Sequence, residues 1–242
     1  MKIYDHIIQK VARGQKLLSI LIDPDNMSQQ QVKKIAAMAA DAGIDYFFIG
    51  GSLITNDNLD KSIDTLKSFS SIPVVIFPGN TMQINPKADA LLFLSLISGR
   101  NAEMLIGKHV IAAPYIRNAK LETISTGYML IESGKPTSVA YMSNSLPIPG
   151  DKDDIAVCTA MAGEMLGLKL IYMDAGSGAK VTISPTMIEK VKKSITLPLI
   201  IGGGINSADK TKKIFDAGAD MIVVGNAVEK NHSLIRQLAD AR

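Results

Sequence analysis

Asp174 closes an apolar run, Leu170-Ile-Tyr-Met, and opens the turn Ala175-Gly176-Ser177-Gly178. Alternation along a strand sends Tyr172 and Asp174 to one face, where the carboxylate could take a proton from a substrate hydroxyl. The glycines and Ser177 could hold a phosphate, because glycine allows positive φ and close approach to its N–H group. Two more apolar runs end the same way: Leu197–Ile201 runs into Gly202-Gly203-Gly204, and Met221–Val224 into Gly225-Asn226. Each of these turns opens a helix, whose N-terminal N–H groups and dipole attract an anion. The alternative reading of each segment is an ordinary turn, with Asp174 as a cap. The glycine triplet followed by Gly-Asn points instead to one phosphate, held as in (β/α)8 barrels after strands 7 and 8.

A second group lies in the first quarter of the chain. Asp23, in Leu21-Ile-Asp-Pro-Asp25, follows a buried-type run and is a hard oxygen ligand suited to Mg2+. It could equally cap a helix or belong to an Asp-Pro turn, and Asp25 is the better candidate for that structural role. The hydroxyl of Ser52, after Gly50-Gly51, could complete a metal–diphosphate site or only serve as turn and N-cap. His6, His109 and His232 are scattered without metal-ligand spacing and read as surface or helix-end residues. The lone Cys158 reads as a buried structural thiol, and Met142 and Met161–Met165 as gap-filling core.

These residues need a scaffold that gathers strand ends. Short apolar runs at Leu17–Ile22, Tyr46–Ile49, Pro73–Phe77, Ala90–Leu94 and Tyr128–Ile131 precede the last three, and all are nearly continuously apolar, as parallel strands covered on both faces must be. Amphipathic stretches alternate with them: Ser28 caps a helix to about Ala42 with Gly43 as its stop, and residues 151–166 read as another. Asp41-Ala-Gly-Ile-Asp-Tyr-Phe-Phe-Ile-Gly50 echoes Asp216-Ala-Gly-Ala-Asp-Met-Ile-Val-Val-Gly225, which supports a repeated βα unit. The pattern predicts one α/β domain over residues 1–242, a single (β/α)8 barrel of the TIM type, with an open doubly wound sheet as the alternative. In a barrel all strand C-termini share one mouth, which groups Asp23, Ser52, Glu132, Asp174, Gly203, Gly204, Gly225 and Asn226.

At 242 residues and 47% hydrophobic, the chain can bury a large core. A net charge of +3 with scattered basic residues gives no reason to expect nucleic acid. No apolar run reaches the ~20 residues of a membrane span and the N-terminus lacks a signal-peptide core, so a cytoplasmic location is expected. The mouth carries no recognisable motif for nicotinamide, flavin or pyridoxal phosphate.

With these motifs in hand, the chain resembles the geranylgeranylglyceryl phosphate synthase family, which includes the bacterial heptaprenylglyceryl phosphate synthases. The resemblance runs from about Leu17 to Ala227 and rests on Ile22-Asp-Pro-Asp25, Ile49-Gly-Gly-Ser52, Tyr172-Met-Asp-Ala-Gly-Ser-Gly178, Ile201-Gly-Gly-Gly204 and Val224-Gly-Asn226, in that order. It implies a Mg2+-dependent prenyltransferase that joins sn-glycerol 1-phosphate to a long prenyl diphosphate, such as geranylgeranyl diphosphate, forming an ether and releasing diphosphate. Carried over by position, Asp23 and Ser52 match the family's Mg2+ ligands. Tyr172, Met173, Asp174, Ala175, Gly176, Ser177 and Gly178, with Gly203, Gly204, Gly225 and Asn226, match its glycerol-phosphate site. Asp174 takes the place of a base that is usually Glu in the family, one methylene longer, and Glu132 is a second carboxylate that could assist. Phe77, Phe93, Tyr115 and Tyr141 could wall a prenyl groove or pack in the core. The resemblance also implies a homo-oligomer, and a lipid product implies transient contact with a membrane surface. The rival readings are an isomerase-type phosphate barrel and a non-catalytic phosphate-binding barrel.

Overall fold

Eight parallel strands close on themselves in sequence order in the computed structural model, which describes residues 2–56 and 58–242. The strands are β1 (Leu17–Ile22), β2 (Tyr46–Ile49), β3 (Val74–Ile76), β4 (Ala90–Leu96), β5 (Glu122–Leu130), β6 (Leu170–Asp174), β7 (Leu199–Gly202) and β8 (Met221–Val224). The helices are α1 (Ile3–Ala12), α2 (Gln29–Ala42), α3 (Leu59–Phe69), α4 (Lys108–Ala119), α5 (Ser138–Ser143), α6 (Asp153–Met165), α7 (Pro185–Ser194), α8 (Ala208–Asp216), α9 (Asn226–Lys230) and α10 (Leu234–Asp240).

The period of two along each strand sorts side chains into two layers. Leu17, Tyr46, Phe48, Leu92, Tyr128, Tyr172 and Val223 fill the barrel, while Leu18, Ile20, Phe47, Ile49, Ile171, Met173 and Ile201 face the helices. Parity therefore aims Asp23, Ser52, Asp174, Gly204 and Gly225 toward the axis at the C-terminal mouth.

Local signals set the elements. Ser28 and Gln31 form a capping box that starts α2, and Gly43 ends it at φ +69°. The internal echo is structural: Asp45 accepts the Leu18 N–H at 2.9 Å, and Asp220 accepts the Leu199 N–H at 2.8 Å. Asp89 does the same for Val74 at 2.8 Å. Each aspartate sits just before its own strand and satisfies the first or second N–H of the strand before it, which pins the register at the barrel's lower rim.

Three features depart from the sequence reading. Helix α1 is unforeseen; it lies across the lower end of the barrel, burying Ile7 among the interior residues, with the Ile3 and Tyr4 N–H groups donating to Glu122 at 2.6 and 2.9 Å. Strand β5 begins at Glu122 rather than Tyr128; its first half, Glu-Thr-Ile-Ser-Thr-Gly127, looks like loop, and Gly127 leaves room there for the tips of Ile97, Ile171 and Leu168, 2.8–2.9 Å from where a Cβ would sit. Between β3 and β4 there is only a 3-10 turn, Thr81–Gln83, so one crossover lacks its α-helix.

Candidate active site

The mouth opens into a cavity of about 610 Å³, within the usual range for a small-molecule site. Its floor is aromatic. Tyr172 of β6 stacks on Phe77 at 5.2 Å between ring centres and meets Tyr128 of β5 edge-on at 5.4 Å. The Tyr172 hydroxyl occupies the space beside Gly202, where a Cβ would approach it to 2.5 Å; the first glycine of the triplet exists to admit that ring.

Asp174 ends β6 and is only 7% exposed. Its Oδ2 accepts the Tyr128 hydroxyl at 2.5 Å and its Oδ1 accepts the Gly176 N–H at 2.7 Å. Burial pushes its pKa above the ordinary carboxylate range, and the two hydrogen bonds pull it back. A buried carboxylate whose pKa is raised, with one donor on each oxygen and lone pairs to spare, is suited to take a proton.

Above it the three glycine turns form an anion cup. Gly176, Gly178, Gly203 and Gly204 all have positive φ, between +66° and +87°. Gly203 is closed in by backbone, because a Cβ there would meet Ala175 and the Gly176 nitrogen at 2.8 Å. Among the described residues, nothing accepts from the backbone N–H groups of Ser177, Gly178, Gly203, Gly204 or Asn226. The Ser177 hydroxyl donates to Asn226 Oδ1 at 2.7 Å, tying the β6 turn to the β8 turn. Unpaired N–H groups facing a cavity are donors in search of an anion.

On the far side stand Asp23 and Ser52, both half-buried and both lining the cavity. Asp23 accepts the Asp25 N–H at 3.0 Å and the Asn26 amide at 2.8 Å. Burial, then the charge of Asp25, raises its pKa against those hydrogen bonds. Asp25 itself accepts from Thr55 and Asn56, binding the β1 loop to the β2 loop, which is the structural role expected of it. The Ser52 loop is held by Gln83, 2% exposed, whose amide bonds Gly51 at 2.8 Å and Gly79 at 3.1 Å.

A scan against family models matches the PcrB family over residues 10–242. The chain belongs to the PcrB family. Curated relatives named geranylgeranylglyceryl phosphate synthase include one from Chitinophaga pinensis, 52% identical and covering 99% of this chain and 95% of its own. Another, from Methanosphaera stadtmanae, is 38% identical and covers 98% of both. Among solved structures, the (S)-3-O-geranylgeranylglyceryl phosphate synthase of Thermoplasma acidophilum, in complex with substrate sn-glycerol-1-phosphate, superposes with a TM-score of 0.94 at 31% identity, covering 100% of this chain and 98% of that one.

In this PcrB-family chain Tyr172, Asp174, Gly176, Ser177, Gly178, Gly203, Gly204, Gly225, Asn226, Asp23 and Ser52 all line one cavity. Met173 does not; strand parity turns it into the outer core, and Ala175 also packs there, with its N–H bonded to Gly202. Glu132 is exposed, bonded at 3.5 Å to the Gly150 N–H, and is no part of the lining. Past Leu130 the chain pairs with Ile148 instead, and the Glu132 N–H donates to the Ile148 carbonyl at 2.8 Å. Phe77 and Phe93 line the cavity, whereas Tyr115 and Tyr141 are 63% and 87% exposed outside it.

His109 is buried rather than on the surface. It shares the inward face of α4 with Ala112 and Ile116, its ring meets Phe93 edge-on at 4.5 Å, and burial lowers its pKa. Cys158 is exposed, because α6 buries the stripe Ala156, Ala160 and Gly163 on its other side. Met142 and Met165 are exposed as well, Met142 at the cavity.

Of the lining residues that escaped the sequence, two stand beside the carboxylates already described. Tyr128 becomes visible only through its register with Tyr172 across β5 and β6. Glu229, in the short helix α9, also faces the cavity; burial and the nearby Asp23 charge push its pKa up to about 7. Its one sequence signal is a carboxylate one helical turn past Gly225.

Proposed function

We propose that this chain is a prenyltransferase that joins sn-glycerol 1-phosphate to a long prenyl diphosphate, with geranylgeranyl diphosphate as the first donor to test. One observation carries the reading: a single cavity combines the unpaired N–H cup, the buried Asp174 carboxylate and an apolar arm. The arm is lined by Leu91, Phe93, Leu96, Met104 and Ile116 from β4 and the α4 region. A phosphate cup alone would serve many barrels; the apolar arm beside it suits a long hydrocarbon tail and excludes water around the reacting carbon.

The residues divide the work by position. The N–H groups of Ser177, Gly178, Gly203, Gly204 and Asn226 grip the phosphate of the glycerol substrate, which delivers one of its two free hydroxyls toward Asp174. That carboxylate takes the hydroxyl proton as the oxygen bonds to the first prenyl carbon. The bond from that carbon to the diphosphate oxygen breaks, and diphosphate leaves with the electron pair. Tyr172 floors the site beside the carboxylate. The allylic carbon tolerates positive charge, so the base need act only late in bond formation.

Asp23 and Ser52 offer one carboxylate and one hydroxyl, and among the described residues no three His, Cys, Asp or Glu side chains converge. So sparse a set of oxygen donors fits Mg2+, which keeps several waters and binds through substrate phosphates. Bound there, Mg2+ would neutralise charge on the departing diphosphate.

The test is incubation of the purified protein with Mg2+, sn-glycerol 1-phosphate and radiolabelled geranylgeranyl diphosphate. The expected result is an organic-extractable ether after phosphatase treatment, absent with EDTA. Glycerol-phosphate binding without ether from any prenyl diphosphate would replace this reading with a non-catalytic phosphate-binding barrel.

A further inference from the structure

We propose that Tyr128 is a positioning residue for the reaction, holding the Asp174 carboxylate ionised and turned toward the glycerol hydroxyl. The proposal rests on Asp174 being the base. The Tyr128 ring is 5% exposed, its register partner is Tyr172, and its hydroxyl reaches Asp174 Oδ2 at 2.5 Å. That distance is at the short end for a hydroxyl on a charged oxygen. With Oδ1 already held by the Gly176 N–H, the second bond leaves the carboxylate no free rotation. Its remaining lone pairs then point where the geometry of β5 and β6 puts them, into the cavity beneath the cup.

The same bond keeps the base usable. A carboxylate 7% exposed in an aromatic floor loses hydration and tends to hold its proton. Tyr128 can only donate to it, because burial and the Asp174 charge hold the phenol far above its ordinary pKa. Few other ionisable groups face Asp174. Tyr172 stands on its own strand and Tyr128 on β5, while β7 presents Gly202 and Gly203. Asp23, Glu229 and Lys230 line the same cavity from the β1 and β8 ends, and Glu103, Lys108 and His109 line it from the α4 region. Loss of the Tyr128 hydroxyl therefore raises the pKa of Asp174 and frees its rotation.

Tyr128→Phe keeps the ring and its packing. In that variant kcat is expected to fall roughly tenfold to a hundredfold, the loss of a hydrogen bond to a charged group. KM for sn-glycerol 1-phosphate should stay within about twofold, since the cup is untouched. The acid limb of kcat should move up by about one pH unit. In an Asp174→Asn background the same change should cost almost nothing further, because Tyr128 acts through Asp174.

A readout independent of turnover is the carboxyl carbon resonance of Asp174 in protein labelled with 13C at aspartate Cγ, assigned by its absence in Asp174→Asn. Its titration midpoint should rise by about one unit in Tyr128→Phe. An unmoved midpoint, or an equal loss of rate with and without Asp174, overturns the proposal. An inactive wild-type protein whose midpoint still moves would fault the prenyltransferase reading and leave the Tyr128–Asp174 coupling standing.

Discussion

Asp174 and Gly203 show how much chemistry single atoms carry in this site. Asp174→Asn keeps the shape and the Gly176 contact but removes the proposed proton acceptor. Turnover should fall by at least about a hundredfold, while calorimetry should find sn-glycerol 1-phosphate bound within about twofold of wild type. Unchanged turnover would take Asp174 out of the reaction. Gly203→Ala acts on binding instead. Its φ of +85° and a Cβ 2.8 Å from Ala175 and the Gly176 nitrogen force the turn to move, at a cost of roughly 1–3 kcal/mol. The displaced N–H groups should weaken glycerol-phosphate affinity by about tenfold or more, with a lowered melting temperature; native affinity would show that the cup lies elsewhere.

At the scale of elements, the mouth is built from loops that hold one another. Gln83 staples the β2 and β3 loops, Asp25 staples those of β1 and β2, and Ser177 with Asn226 joins those of β6 and β8. Helix α9 adds Glu229 to this rim, and its raised pKa makes a stability prediction. The folded state holds the Glu229 proton up to about pH 7, against an ordinary value of 4.5. Stability from this group is full below the lower value and is lost as pH rises through the higher one. Glu229→Gln should therefore stabilise the ligand-free protein near pH 8 by about 1 kcal/mol, a figure already reduced for the group's partial exposure. Near pH 4 it should change little. Urea unfolding at both pH values checks this, and equal effects at both would show that Glu229 titrates normally.

Across the whole molecule, the two ends of the barrel have separate tasks. The upper end carries the cavity, and the lower end is sealed by α1 and clamped by Asp45, which pairs with Lys10 at 2.5 Å and Arg242 at 2.8 Å. Removing residues 3–12 uncovers Ile7's site in the barrel interior and breaks the Lys10 pair. The expected loss is roughly 3 kcal/mol or more in urea unfolding, with turnover per folded molecule near normal because the deletion leaves the mouth intact. A change in KM for either substrate would show that α1 reaches the site after all. No helix among the described residues is long and apolar enough to cross a membrane.

The amino-acid sequence by itself determined the strand–turn–helix rhythm, the barrel and the backbone part of the site. Glycine turns, strand parity and the run before Asp23 are local properties, legible because φ preference and side-chain alternation act within a few residues. Tertiary structure decided what depends on register and on which helix face turns inward. It paired Tyr128 with Tyr172 and so with Asp174, brought Glu229 beside Asp23, and set Gln83 between two glycine loops. It also turned Met173 outward, released Glu132 to solvent, buried His109 and exposed Cys158. These outcomes follow from closing eight strands into a ring, which fixes distances between residues that no local pattern relates.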